Sequence, residues 1–169
     1  MKIFSVKEAG DVLDAPDLET FFGGVDWQYK DPVPSYFLEE DSGAKVGLAR
    51  MLANTFLERR SAVLWITETG IWPSTEHMDL FLRYRASYGE TRTVKEAPVH
   101  IFEQDDGDAM ISIVAIALFF AWGFDLISRD RSLAMTVSHD EWLEYRFAPG
   151  HEQFIPYFEK WIAPSLRSD

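Results

Sequence analysis

Residues 109–122 read AMISIVAIALFFAW, and Ser112 alone among these fourteen positions is polar. At the rise of an α-helix the stretch would span roughly 21 Å, short of the roughly 30 Å hydrocarbon core of a bilayer. A helix that is apolar all round must instead be covered on most sides by protein. The segment from Ala109 to Trp122 is therefore expected to be a central buried helix, with Gly123 placed to terminate it. The acids of Glu103-Gln104-Asp105-Asp106-Gly107-Asp108 stand at its start, where the helix dipole favours them.

The flanking sequence supplies strands to cover it. Ala97 to Glu103 reads as a strand before the helix. Phe124 to Ser128, Leu133 to Val137 and Trp142 to Phe147 read as an antiparallel meander after it, with turns at Arg129-Asp130-Arg131 and Ser138-His139-Asp140-Glu141. In the last of these, Leu143, Tyr145 and Phe147 alternate with Trp142, Glu144 and Arg146, the pattern of a half-buried edge or outer strand. Ala62 to Thr67 is a continuous apolar run, which suits a strand buried on both faces.

Two helices bracket that run. One is expected from Ala44 to Arg60 with Ser42 as N-cap, Leu48, Met51, Leu52, Thr55 and Phe56 on its apolar side and Arg59 and Arg60 in its last turn. The other is expected to start at Ser74 or Thr75 and run to Tyr88 and Gly89. A closing helix from His151 to Ile162, or one starting at Pro156, is expected at the carboxyl end. The fold class is thus α/β or α+β: one domain over residues 1–169, with a mixed β-sheet, a buried apolar helix and a C-terminal antiparallel meander. Asp31-Pro32-Val33-Pro34 reads as a stiff loop joining an acidic section, residues 1–34, to the main body on which it packs.

The chain carries 28 acidic and 16 basic residues, a formal net charge of -12. That charge repels a phosphate backbone, so nucleic acid is not an expected partner. Cysteine is absent, which removes thiol catalysis, disulfides and cysteine-based zinc sites and fits a reducing cytoplasm. No uncharged run of signal-peptide length follows Met1, so a cytoplasmic, soluble protein is expected. The charge is uneven: residues 1–42 hold ten acids and three bases, residues 43–60 one acid and four bases, and residues 101–130 six acids and one base.

Two segments could carry chemistry. Ser138-His139-Asp140-Glu141 is the densest polar tetrad, and a turn could let His139 act as a proton donor beside Asp140 and Glu141. A metal there would need further ligands from Asp125, Asp130, His100 or His77, so no metal site and no cofactor is assigned. The competing reading makes Ser138 and Asp140 turn residues and His139 structural. The second segment follows the buried strand: Thr67, Glu68, Trp72, Ser74 and Glu76 would lie at a strand's carboxyl end, where ligands of open sheets bind. Its bland alternative is a loop with Trp72 plugging the core edge and Ser74 capping a helix. Arg83, Arg85 and Arg92 could mark an anion patch, but positions 83 and 85 of a helix face different ways, so these arginines are expected to be solvated. His100 is expected to be a hydrogen-bonded strand residue and His151 a loop residue. No nucleophile elbow, phosphate-binding loop, GxGxxG or HExxH occurs.

The order Trp65, Trp72-Pro73-Ser74, Glu76, Glu96-Ala97-Pro98, the apolar helix with Trp122-Gly123-Phe124-Asp125, and Ser138-His139-Asp140-Glu141-Trp142 resembles a group of small uncharacterised bacterial proteins. The resemblance covers about residues 62–145 and implies a soluble bacterial protein without adding an activity. The leading expectation is an acidic, non-enzymatic interaction domain of adaptor or toxin-neutralising type that binds a basic partner protein. It rests on the charge and on Phe21, Phe22, Trp27 and Tyr29 interleaved with the N-terminal acids. The alternatives are a hydrolase or metal-dependent enzyme using His139, Asp140 and Glu141, and a small-molecule binder at residues 67–77. Trp27 or Trp142 could equally face a second copy, so a homo-oligomer stays open.

Overall fold

The structure, a computed structural model, describes residues 1–23, 36–38, 40–70, 78–151, 156 and 166–167. Its elements in chain order are β1 (Lys2–Phe4), α1 (Val6–Leu13), α2 (Leu18–Gly23), β2 (Tyr36–Leu38), α3 (Ser42–Leu57), β3 (Ser61–Glu68), α4 (Asp79–Ala86), β4 (Val99–Glu103), α5 (Gly107–Phe119), β5 (Gly123–Ser128), β6 (Leu133–Val137), β7 (Trp142–Phe147) and β8 (Leu166–Arg167). A 3-10 turn, Gln104–Asp106, leads into α5. The strands form one sheet in the order β1-β4-β3-β5-β6-β7-β2-β8.

Every described pairing is antiparallel. The expected mixture of helix and sheet is present, and of the two alternatives it is the α+β one. The helix after β3 does not return the chain to a parallel neighbour; β4 pairs antiparallel beside β3.

Strand alternation builds two cores from one sheet. Ala62, Leu64 and Ile66 of β3 join Phe102, Leu126, Met135, Leu143, Tyr145 and Phe147 under α3 and α5. Ile113, Val114 and Ala117 of α5 and Leu48, Leu52 and Phe56 of α3 fill that side, each 1% exposed or less. Most of the apolar run of α5 follows from its being packed between the sheet and α3, while Phe119 at its last position stays exposed. On the other face, Val63, Val99, Ile101, Ile127 and Ala134 meet Ala9, Leu18, Phe21 and Phe22 of α1 and α2. The continuous apolar run of β3 is thus explained by burial on both faces.

The N-terminal section supplies an edge strand and two covering helices. Lys2, Ile3 and Phe4 pair with Ile101, His100 and Val99. Ser5 then caps α1: its hydroxyl accepts from the Glu8 amide at 3.3 Å, and the Glu8 carboxylate accepts from the Ser5 amide at 2.7 Å. Glu8 also accepts from Arg92 at 2.8 Å, which ties α1 to the segment after α4. The Ser5 amide and then Arg92 hold the Glu8 carboxyl down at about 2.

Several expected boundaries shift. The apolar helix ends at Phe119 instead of Trp122. Ala121 turns left-handed (φ 48°) and the Trp122 amide closes onto the Ala117 carbonyl at 2.9 Å, the work of a helix-ending glycine done by alanine. Gly123 opens β5 instead. Any Cβ there would stand 3.0 Å from the Glu68 carboxylate and 3.1 Å from the Thr67 hydroxyl, at the irregularity between Ile66 and Glu68.

Asp41, rather than Ser42, caps α3 by accepting from the Ala44 amide at 2.8 Å. Arg59 and Arg60 lie beyond that helix's end. α4 ends at Ala86, with the reversal completed at Gly89 (φ 82°). β7 is half-buried as expected but is not an edge, because β2 pairs along it. The expected start of a helix at Ser74 or Thr75, the Asp31–Pro34 loop, Trp27, Tyr29 and nearly all of the closing helix lie outside the described residues.

Among the described residues no helix is long and apolar enough to cross a membrane.

Candidate functional site

β3 ends at Glu68, and the sheet order sets the turn between β6 and β7 close to that end. In the turn, the Glu141 amide donates to the Ser138 carbonyl at 3.0 Å, the Ser138 amide to the Trp142 carbonyl at 2.9 Å, and the Asp140 amide to the Ser138 hydroxyl at 3.1 Å. This presents His139 toward β3. Its Nδ1 is hydrogen-bonded to Glu68 Oε2, and its Nε2 lies 3.4 Å from Asp140 Oδ1. A histidine set between two carboxylates has one ring nitrogen fixed by a hydrogen bond, an arrangement that can relay a proton.

Glu141 does not join them. It sits in the left-handed region (φ 62°), and its carboxylate accepts from Lys45 Nζ of α3 at 2.5 Å. Lys45 is only 8% exposed, so the first demand on Glu141 is to neutralise a buried ammonium. The expected trio of His139, Asp140 and Glu141 therefore separates: the structure puts Glu68 where Glu141 was expected.

Thr67, Glu68 and Thr69 line a cleft of about 470 Å³ with Trp65, Val94, Lys95 and Pro98. Glu68 is the link between this cleft and His139. A smaller cavity of about 220 Å³ next to it shares Thr69, Val94 and Lys95 and adds Met78, Leu82 and Thr93. The other members expected here, Trp72, Ser74 and Glu76, lie outside the described residues, as does His77.

The remaining suggested metal ligands are engaged elsewhere. Asp125 accepts from the Thr136 hydroxyl at 2.6 Å and faces Arg146 at 3.6 Å; burial raises the carboxyl against these two opposing contacts. Asp130 accepts from the hydroxyls of Ser128 at 2.6 Å and Ser132 at 2.7 Å in the β5–β6 turn. Among the described residues no group of three or more histidine or acidic side chains is placed to hold a metal ion.

Arg85 departs most from expectation, and His100 stands with it. Both are fully buried, against the solvated arginine expected. Arg85 Nη2 donates to the Ala97 carbonyl at 2.5 Å, while its Nε and Nη1 and Nε1 of Trp122 find no hydrogen-bond partner among the described residues. Burial, and then the Arg85 charge, push His100 down to about 3, against the Pro98 carbonyl and Glu90. Burial also lowers Arg85, with Glu90 opposing. A charged residue in a short helix carries no sequence mark of burial; the only hint was that positions 83 and 85 cannot share a face. Arg83 is exposed, and Arg92 is clamped by Glu90 through contacts of 3.0 Å at Nε and 2.7 Å at Nη2.

Fold and site together define an antiparallel-sheet α+β domain with a His-carboxylate corner at one sheet end. Compared with known proteins, the chain matches no family model, no curated protein and no solved structure.

Proposed function

We propose that the protein is an acidic, non-enzymatic interaction domain of adaptor or toxin-neutralising type, working in the cytoplasm, which docks α1–α2 on a basic partner protein. The observation that carries this is the state of the N-terminal acids. Asp11, Asp14, Asp17 and Glu19 are all exposed on α1, α2 and the link between them, and among the described residues none of them has an ion-pair partner. Their helices are anchored from behind by Leu18, Phe21 and Phe22, so the charges are displayed on a fixed surface. Such a surface speeds encounter with a basic partner and makes the rate fall with salt.

The test is capture from source lysate at low and high salt, followed by association kinetics of any recovered protein. The expected result is a basic partner whose association slows at least tenfold with Asp11→Asn, Asp14→Asn and Glu19→Gln combined. A partner indifferent to salt and to these changes, or no specific partner, overturns the reading.

One observation favours a second reading. Glu68 touches His139 and also lines the 470 Å³ cleft, so a small molecule in the cleft would lie beside a histidine poised for proton transfer. This supports a hydrolase, or a metabolite-binding site, built on Glu68, His139 and Asp140. A thermal-shift screen against anions and metabolites tests it: ligand shifts that vanish in Glu68→Gln support it, and shifts unchanged by that substitution reject it.

A further inference from the structure

Lys95 and Glu68 carry opposite charges and line the same cleft of about 470 Å³, yet they do not pair with each other. Among the described residues Lys95 has no ion-pair partner at all. Its sequence neighbour Glu96 is turned back on its own turn, where Oε2 accepts from the Thr93 amide and hydroxyl, each at 2.8 Å. Glu68 is fixed through Oε2 by His139 Nδ1, which leaves Oε1 without a hydrogen bond from a described residue. An exposed ammonium needs no partner, so its pairing state alone defines no site. Its position does.

Lys95 stands with Thr69 and Val94 on the wall shared by this cleft and the 220 Å³ cavity. Beyond that wall the smaller cavity is bounded by the apolar side chains of Met78 and Leu82. On the cleft side come Thr67, Glu68 and the half-buried ring of Trp65. The Ile66 amide donates to the Pro98 carbonyl at 3.1 Å, so the end of β3 runs beside the segment that carries Lys95. Across the two spaces the order is therefore apolar, then cationic, then anionic. A guest that matches it carries an apolar group, a carboxylate and an ammonium within a few bonds.

We propose that the two cavities together bind a free α-amino acid with an apolar side chain, which enters the smaller cavity while the carboxylate meets Lys95 and the ammonium meets Glu68. This rests on the reading of the cleft as a small-molecule site and names the class of molecule it takes. The smaller cavity suits one side chain, since pockets that enclose a whole drug-sized ligand run to roughly 300–1,000 Å³. A fatty acid brings nothing for Glu68, and an alkylamine brings nothing for Lys95. Only the zwitterion answers both charges. His139 acts here as a positioning residue that holds the Glu68 carboxylate.

The test is calorimetric titration of the full chain with L-leucine and L-phenylalanine, and with the analogue of each that lacks the ammonium (4-methylpentanoate, 3-phenylpropanoate) or the carboxylate (3-methylbutylamine, phenethylamine). At least one amino acid should bind, with both of its analogues about tenfold weaker or more, the worth of a hydrogen bond between charged groups. Lys95→Met should bring that amino acid down to the level of its amine analogue, and Glu68→Gln to the level of its acid analogue. Both side chains are exposed, so both variants are expected to fold. An analogue that binds as tightly as its parent, or amino-acid binding unchanged in either variant, overturns the proposal. Failure of both amino acids to bind at millimolar concentration overturns it too. Metabolite shifts that still depend on Glu68 would then keep the cleft as a site for another class of ligand, and their absence would remove that reading as well.

Discussion

His100 and His139 belong to the same sheet and meet opposite fates. His100 is near the middle of β4, fully buried beside Arg85 with the Pro98 carbonyl as its polar neighbour. His139 is in a turn at the sheet's end, a quarter exposed and set between Glu68 and Asp140. The crowded polar site is cheap, because water shares the work of solvating it; the sparse one is costly, because full burial keeps water from it. Abundance of polar residues in a sequence therefore points to the site with less energetic weight.

The largest effect expected comes from Phe81, whose ring lies 5.6 Å from the Arg85 guanidinium carbon and 6.2 Å from the His100 ring. Phe81→Ala removes a side chain with no exposure, and a loss of about 3–5 kcal/mol is expected in urea unfolding. A loss below about 1 kcal/mol would mean that the Arg85–His100 region collapses without its centre and is not a rigid core.

The next is a pH effect. His100 is held at about 3, well below the 6.5 of a free histidine. As pH falls through 6.5 the unfolded chain takes up a proton that the folded chain refuses, so stability is level above that pH and drains away down to about 3. The slope approaches about 1.4 kcal/mol per pH unit. Measured between pH 6.5 and 4.5, before most carboxylates titrate, the loss should reach about 2 kcal/mol. His100→Leu should flatten this window and cost little at pH 7, since it replaces a neutral imidazole by an apolar side chain of similar volume. A wild-type profile already flat over the window would place His100 in contact with a partner or with water.

Glu141→Gln probes the residue that left the expected site. It strips the counter-charge from buried Lys45, and about 1–2 kcal/mol of destabilisation is expected, limited by the partial hydration of the Glu141 carboxylate. Adding Lys45→Met should recover part of it. A null result for Glu141→Gln would return the carboxylate to the list of groups free to act with His139.

The meander strands were legible almost to the residue, because β6 and β7 repeat apolar and polar side chains with a period of two and are bounded by polar turns. The buried helix was legible from composition alone, but its end was misread: helix-closing glycines are the usual signal, and here Ala121 takes that conformation while Gly123 serves a close approach to Glu68. The N-terminal section read only as charge, although Ser5-Val6-Lys7-Glu8 is a capping-box pattern that announces α1. Half of the His139 site was visible as two separate segments. Their meeting depends on β5 lying between β3 and β6, and strand order is a property of long-range packing that no local pattern records. The burial of Arg85 was invisible for the same reason: it is decided by the segment from Glu90 to Ala97 folding over α4.

The smallest effect belongs to the corner where the sequence is most suggestive. His139→Ala should change stability by no more than about 0.5 kcal/mol, because Glu68 and Asp140 are well hydrated and recover water when the imidazole is gone. Glu68→Gln should be similarly mild, since it keeps the side-chain atoms that pack over Gly123. Both are read by urea unfolding at pH 7, beside Phe81→Ala. Mild losses at Glu68 and His139 with a large one at Phe81 would show that the exposed corner is free to be used for binding or proton transfer without a stability penalty. A loss above about 1.5 kcal/mol at His139 would make it a clasp between the end of β3 and the β6–β7 turn, and the contrast between the two histidines would then be one of two structural roles.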